Sequence, residues 1–330
     1  MPKSLLLFTM DSIKTYSQSA SKGGPAGEII IRKSLTTTLS SLYPNLRISV
    51  ASSDSEMETL GSLSKFDVYV FDPWTWAGPG WKLRPFITDP SKLFILDFFG
   101  SERSYIDKNG GIRGFDKDTN VLTAYPRSGN QRGGDGVGRF LGFYKDEVVS
   151  RVNNRGGGEN ANNANNVVVI WGKDPKYYTP SVLTLLRKLN ELENVVLHST
   201  LPVPANKALP DGVVTHGHLK PEEWKALLEG ATHMLGLGDP LLGPSGLDAI
   251  EAGCILVNPI YRAPKRGWMS QHGFIEEFVD SRSCQVDLLD FEQVSECILK
   301  RRSPGPIVPK EFGKREYFAR VKEIFDPLLS

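Results

Sequence analysis

The most informative segment of the chain is Leu235-Gly-Leu-Gly-Asp-Pro-Leu-Leu-Gly-Pro-Ser-Gly-Leu-Asp-Ala-Ile-Glu-Ala-Gly-Cys-Ile-Leu-Val-Asn-Pro259. An apolar strand ends in a loop rich in Gly and Pro, and a helix and a second short apolar strand, Ile255–Val257, follow it. This order predicts that the helix begins at the carboxyl edge of a parallel sheet. Free backbone N–H groups and the positive end of the helix dipole meet there, an arrangement that suits a phosphate.

The same stretch contains candidate ligand-binding residues. The loop and the start of the helix contribute Gly236, Gly238, Gly243, Pro244 and Ser245. Asp248 lies one helical turn further on, where a carboxylate can accept hydrogen bonds from sugar hydroxyls, as the acidic residue does in dinucleotide sites. The pattern therefore predicts recognition of a nucleotide diphosphate with a ribose nearby. The alternative is an ordinary Gly/Pro turn that closes an αβ unit, with Asp248 merely solvated.

Length and composition narrow the class of protein. A chain of 330 residues suits two domains of roughly 150 residues each. Lys and Arg number 39 against 38 Asp and Glu, so the balanced charge gives no reason to expect a nucleic-acid partner. No apolar run approaches the roughly 20 residues of a membrane helix, so we predict no membrane anchor within this chain. Three cysteines, an odd and low count, argue against a disulfide framework and favour a reducing compartment or a chain cut away from its anchor.

Strand-like and helix-like segments alternate in both halves, which predicts an α/β fold with two parallel sheets. We assign residues 1–150 to a first Rossmann-like domain and residues 167–330 to a second, with the two domains facing a cleft. Residues 151–166 are rich in Asn and Gly and are predicted to form a flexible linker. Residues 100–140 show no clear period and are interpreted as long loops.

Two further motifs carry charged groups. Ser21-Lys-Gly-Gly-Pro-Ala-Gly-Glu28 follows the first strand and opens the first long helix, so Glu28 is a candidate general base. The alternative for Glu28 is an ordinary acidic residue that offsets the helix dipole. Lys265 follows the second strand of the opening stretch and is a candidate to neutralise a leaving diphosphate, or else part of a solvated basic loop.

Aromatic residues and histidines give weaker signals. Three tryptophans, Trp74, Trp76 and Trp81, lie in a nine-residue segment that follows a strand. Indole rings stack on sugars and also fill protein cores. We assign these three residues to contacts with a sugar acceptor. His216 and His218 have a spacing that could hold a metal, but no third ligand is evident. We therefore predict no metal site.

These residues resemble the family-18 glycosyltransferases. Ser21–Glu28 is similar to that family's Ser-Gly-Gly-Pro-Leu-Gly-Glu, and Gly236–Cys254 is similar to its Gly-Leu-Gly-Phe-Pro-Tyr-Glu-Gly-Pro-Ala-Pro-Leu-Glu-Ala-Ile-Ala-Asn-Gly-Cys. Further similar segments, in the same order along the chain, are Leu141-Gly-Phe143, Asn258-Pro259, Pro264-Lys265, Ser270-Gln-His272 and Val286-Asp287-Leu288. The resemblance thus covers most of the chain.

The resemblance implies a GT-B architecture and inverting, metal-independent transfer of a sugar, UDP-GlcNAc being the expected donor. The UDP-sugar is a co-substrate, no cofactor is expected, and the partner is a mannose-containing glycan or glycoprotein acceptor. It also implies that Glu28 is the catalytic base, that Asp248 and Lys265 contact the donor, and that the chain resides in the Golgi lumen. A cytoplasmic location is the alternative, because the chain shows no signal sequence or anchor.

One departure from the family pattern leaves the function open. Leu242 stands where the family has Glu, and Leu cannot accept a hydrogen bond. The donor is therefore held differently or is another sugar. The alternatives to a transferase are a catalytically degenerate module that binds a nucleotide sugar or a glycan, and a UDP-sugar epimerase or hydrolase on the same fold.

Overall fold

The computed structural model describes residues 2–8, 27–51, 56, 66–77, 87–97, 115–126, 138–145, 165–172, 174–202, 209–239, 241–265, 268–275 and 282–330. These residues form two compact units. The first contains the described residues up to 145 together with residues 310–330. The second contains the described residues from 165 to 309.

The first unit is built on a parallel sheet. Its strands are β1 (Ser4–Phe8), β2 (Arg47–Ala51), β3 (Val68–Phe71), β4 (Leu93–Asp97), β5 (Val121–Thr123) and β6 (Arg139–Phe140), in the spatial order β2-β1-β3-β4-β5-β6. Its helices include α1 (Gly27–Leu42), α2 (Pro73–Ala77) and α3 (Lys117–Asn120). Strands β3 and β4 are buried at every position, which explains their continuous apolar sequence.

The second unit holds a larger sheet. Its strands are β7 (Asn166–Trp171), β8 (Val195–Ser199), β9 (Val214–Thr215), β10 (His233–Gly236), β11 (Ile255–Lys265), β12 (Trp268–Ser270) and β13 (Ser283–Val286). The parallel strands lie in the order β9-β8-β7-β10-β11-β13, and β12 pairs antiparallel with the end of β11. This is the Rossmann strand order, in which the direction of winding reverses between β7 and β10.

Helices of the second unit begin where sequence signals place them. They are α4 (Pro180–Asn190), α5 (Pro221–Gly230), α6 (Ser245–Glu251) and α7 (Phe291–Lys300). Thr179 caps α4, because its side chain accepts a hydrogen bond from the N–H of Val182, and Asp290 caps α7 in the same way. The predicted alternation of strands and helices is therefore confirmed for these elements.

The end of the chain departs from the predicted domain boundary. Helix α8 (Lys314–Leu329) groups with the first unit, whereas we assigned residues 167–330 to the second domain. Phe325 packs against Phe94 with ring centroids 5.1 Å apart, and the Tyr43 hydroxyl donates to Asp326 at 2.8 Å. The boundary prediction was wrong here because an amphipathic pattern shows that one face of a helix is buried but does not indicate which sheet it packs against.

Two other predictions need correction. Part of the segment 100–140, interpreted as long loops, contains α3, β5 and β6. The cysteine count argued against disulfides, but Cys284 and Cys297 form a disulfide that joins β13 to α7. The odd cysteine left over, Cys254, is buried. Most of the predicted linker lies outside the described residues, and its last residue, Asn166, begins β7.

No helix among the described residues is long and apolar enough to span a membrane.

Candidate functional site

The predicted phosphate loop, defined here as residues 236–246, of which all but Pro240 are described, leaves the sheet at its switch point. It begins at Gly236, the last residue of β10, and β10 lies beside β7. In open α/β sheets, ligands bind outside the carboxyl ends of the strands at the point where the winding reverses. The ring of Trp171, the last residue of β7, lies against the loop, since a Cβ on Gly243 would be 3.3 Å from it. The topology thus places the loop where this fold binds ligands.

The backbone of the phosphate loop takes conformations that most side chains avoid. Gly238 has a φ of 85°, which favours glycine. Leu242 has a φ of 59° and is the one non-glycine residue with positive φ in the described part of the chain. Its side chain is 3% exposed, so it faces the interior. A buried Leu in the left-handed region is uncommon, and such strain clusters at ligand sites.

The start of α6 contributes further polar groups. The N–H groups of Ser245, Gly246 and Leu247 occupy the first turn, where a helix offers them no carbonyl partner. The hydroxyl of Ser245 is also buried, and within the described part of the chain it has no hydrogen-bond partner. The helix has only seven residues, so these local donors matter more than its dipole.

A buried histidine lies beneath this helix start. His272 is fully buried and packs at a tilt against Trp171, with ring centroids 5.1 Å apart. A Cβ on Gly246 would lie 3.1 Å from its Nδ1 atom. Burial lowers the pKa of His272 to about 3, so the ring is neutral at physiological pH. Neither ring nitrogen has a hydrogen-bond partner among the described residues.

Asp248 lies at the predicted position on α6, and its carboxylate is oriented by a residue that we did not predict. The indole N–H of Trp224, on α5, donates to Oδ2 of Asp248 at 3.1 Å. Both side chains are half-buried. No sequence signal marks Trp224, because it lies on a different helix from Asp248 and 24 positions before it in the chain.

Lys265 forms an ion pair with a carboxylate of the phosphate loop. Its ammonium contacts the carboxylate of Asp239, and it lies 5.5 Å from the centre of the Tyr261 ring. The two charged groups are partly exposed, so the pair contributes little to stability. The predicted cation is therefore brought to the loop, together with a carboxylate that partly offsets its charge.

Glu28 lies in the first unit. It is the second residue of α1 and is half-buried in the first helical turn. Helix α1 follows β1, and β1 lies between β2 and β3, where the winding of the first sheet reverses. Glu28 thus belongs to the switch point of its own sheet. Residues 21–26 of its motif lie outside the described residues.

The three tryptophans have different outcomes. Trp76 is 1% exposed and packs edge-to-face on Phe71 at 5.4 Å, so it belongs to the core and cannot stack on a sugar. Its assignment to acceptor contacts was wrong. The side chain of Trp74 and the whole of Trp81 lie outside the described residues, and their assignment stays a prediction.

His216 pairs with His198, and not with His218 as its sequence spacing suggested. His216 Nε2 lies 2.8 Å from Nδ1 of His198, a residue near the end of β8, and the rings stack. Burial and the neighbouring His216 lower the pKa of His198. The described residues contain no group of three or more His, Cys, Asp or Glu side chains placed to hold a metal ion.

Sequence comparison identifies similar proteins. Residues 122–326 match the family model described as Glycosyltransferase family 18. The chain is 25% identical to the rat and human alpha-1,6-mannosylglycoprotein 6-beta-N-acetylglucosaminyltransferase A, over 97% of this chain and 47% of each relative. It is 22% identical to the Caenorhabditis elegans enzyme named alpha-1,6-mannosylglycoprotein 6-beta-N-acetylglucosaminyltransferase, over 92% of this chain and 51% of that relative. The chain therefore spans about half the length of these relatives.

Solved structures share the fold. The glycotransferase of kitacinnamycin superposes with a TM-score of 0.56 at 12% identity and covers 100% of both chains. Acinetobacter baumannii MurG gives a TM-score of 0.51 at 12% identity, over 98% of this chain and 100% of that one. A UDP-GlcNAc 2-epimerase of Methanocaldococcus jannaschii, solved with UDP-GlcNAc and UDP, gives a TM-score of 0.52 at 10% identity. The superposition covers 97% of this chain and 99% of that one. The predicted α/β fold of the GT-B class is confirmed.

Proposed function

This chain belongs to glycosyltransferase family 18, and on that premise we propose that it is an inverting, metal-independent glycosyltransferase. In this proposal it moves GlcNAc from UDP-GlcNAc to a hydroxyl of a mannose-containing glycan. The UDP-sugar is a co-substrate, and no cofactor takes part. The observation that carries the proposal is the family match over residues 122–326, which includes the whole phosphate loop.

The donor is proposed to bind at the phosphate loop. Gly236, Gly238 and Gly243 let the backbone approach the diphosphate closely, and the N–H groups at the start of α6 bind its oxygens. Asp248 accepts hydrogen bonds from the ribose, and Pro244 and Ser245 complete the contact. The Lys265 ammonium stabilises the negative charge that develops on the leaving diphosphate.

Glu28 is proposed to act as the general base. The acceptor hydroxyl loses its proton to the Glu28 carboxylate as its oxygen attacks the anomeric carbon. The bond from that carbon to the diphosphate oxygen breaks, and UDP leaves. Attack from the face opposite the leaving group inverts the anomeric centre. The position of Glu28 at the start of α1 supports this role, because the carboxylate is only half-buried.

The Golgi lumen is the proposed compartment, and glycoproteins are the proposed acceptor carriers. The Cys284–Cys297 disulfide supports this location, because disulfides form and persist in oxidising compartments. It also weighs against the reducing compartment that the cysteine count suggested.

The substitution Glu28→Gln tests the proposed chemistry. It removes the proton acceptor and keeps the shape of the side chain, so we expect turnover to fall by ~100-fold or more while UDP binding is retained. Glu292→Gln is the matched control, because Glu292 lies in the first turn of α7 and reports on the helix dipole alone. Weakened UDP binding with normal turnover at saturating donor would exclude Glu28 as the base.

Leu242 favours a second candidate function. A buried apolar side chain replaces the hydrogen-bond acceptor of the family pattern, so a donor sugar loses one polar contact. A degenerate module that binds a nucleotide sugar without transferring it is consistent with that loss. Such a module binds UDP yet shows no turnover with any donor, whereas an epimerase or hydrolase consumes the donor without an acceptor.

A further inference from the structure

Gln271 connects both sides of the phosphate loop. It is fully buried and follows β12 directly. The N–H of Gly238 donates to its side-chain Oε1 atom at 2.9 Å. The N–H of Leu242 donates to its backbone carbonyl, also at 2.9 Å. One residue therefore accepts hydrogen bonds from two positions of the loop that are four residues apart.

Gln271 is itself fixed to the sheet. Its N–H donates to the carbonyl of Pro259 on β11 at 2.9 Å. A Cβ on Gly236 would lie 2.2 Å from Oε1 of Gln271 and 2.9 Å from Pro259, so only glycine permits this close approach. The strand that ends at Gly236 and the amide of Gln271 thus occupy adjoining space, and neither can shift independently.

Tyr261 holds the same glycine from its other side. The hydroxyl of this β11 residue donates to the carbonyl of Gly238 at 2.7 Å. Burial, reinforced by the nearby Asp239 carboxylate, raises the pKa of Tyr261, so the phenol stays protonated and can donate. Both the N–H and the carbonyl of Gly238 are therefore bonded to side chains outside the loop.

We propose that Gln271 and Tyr261 are positioning residues that hold the phosphate loop in a single donor-binding conformation. This inference rests on the proposed function, because it is the donor that benefits from the fixed loop. A loop with positive φ at Gly238 and Leu242 needs outside contacts to keep its shape. When those contacts are built into the protein, the donor does not have to order the loop, and its affinity rises accordingly.

The test compares Gln271→Met and Tyr261→Phe with the wild-type chain. The first variant removes the amide acceptor at similar size, and the second removes only one hydroxyl. Tyr43→Phe is the matched control, since its hydroxyl donates a 2.8 Å bond to Asp326 in the first unit. Calorimetry measures the dissociation constant for UDP-GlcNAc, and amide hydrogen exchange follows Gly238 and Leu242.

We expect each of the two variants to raise the dissociation constant by about 10-fold, which corresponds to one lost hydrogen bond. Exchange at Gly238 should accelerate in both, while Tyr43→Phe changes neither quantity. A merely structural role would lower the fraction of protein that binds and leave the dissociation constant of that fraction unchanged. Unchanged affinity in Tyr261→Phe with a folded protein would overturn the inference. If the wild-type chain binds no nucleotide sugar, the proposed function fails first and the inference with it.

Discussion

Asp248 depends on Trp224 for the direction of its carboxylate. The indole N–H of Trp224 donates a 3.1 Å hydrogen bond to Oδ2 of Asp248, which fixes the orientation of the carboxylate that we propose as a donor contact. We predict that Trp224→Phe, which removes this donor and keeps an aromatic ring, weakens UDP binding by about 5- to 10-fold. Titration calorimetry with UDP measures the effect.

A double-mutant cycle provides the control for this prediction. If Trp224 acts through Asp248, then Trp224→Phe should have little effect in a chain that already carries Asp248→Ala. Additive losses in the double variant would show that Trp224 contacts the ligand directly or acts only on the fold.

Single residues were predictable from the sequence when their role follows from local position. Asp248 was placed correctly on its helix because strand, loop and helix are contiguous in the chain. The core position of Trp76 was not predictable, since the same indole suits a sugar or a core. Gln271 lies in a segment similar to the family, but its contact with Gly238 spans 33 residues and no local pattern encodes it.

The disulfide connects two elements of the second unit. It joins β13 to α7 across a separation of 13 residues. We predict that Cys284→Ala lowers the free energy of unfolding of this unit by about 3 kcal/mol, since a closed loop of this length restricts the unfolded chain. Chemical denaturation with and without a reductant measures the loss.

Cys254→Ala is the comparison for the disulfide variant, because Cys254 is a buried cysteine of the same unit that takes no part in the disulfide. Reductant should destabilise the wild-type chain and Cys254→Ala but leave Cys284→Ala unchanged. Equal stability of the wild-type chain with and without reductant would contradict the predicted contribution of the disulfide.

Elements were predictable from the sequence where apolar period and capping residues agree. Helix α4 begins directly after its capping residue Thr179, and α7 begins directly after Asp290. The short strands β5 and β6 were missed because two or three residues carry no period. The hairpin of β11 and β12 was missed as well, although it positions Tyr261, Lys265 and Gln271.

For the whole molecule, the alternation of strands and helices predicted the fold class. The order of the motifs along the chain indicated the family. The last helix was assigned to the wrong unit because its partners, Phe94 and Tyr43, are more than 200 residues away in the chain. Contacts of that range depend on the completed sheet. They are therefore visible only in the structure.

The proposed activity is transfer of GlcNAc from UDP-GlcNAc to a mannose-containing glycan. The most direct measurement is UDP release from UDP-GlcNAc, with and without a mannose-terminated oligosaccharide, in the presence of EDTA. We expect release of UDP only when the oligosaccharide is added, with a β-linked product and no inhibition by EDTA. Consumption of UDP-GlcNAc without any acceptor, or binding of UDP-GlcNAc without release under every acceptor tried, would contradict it.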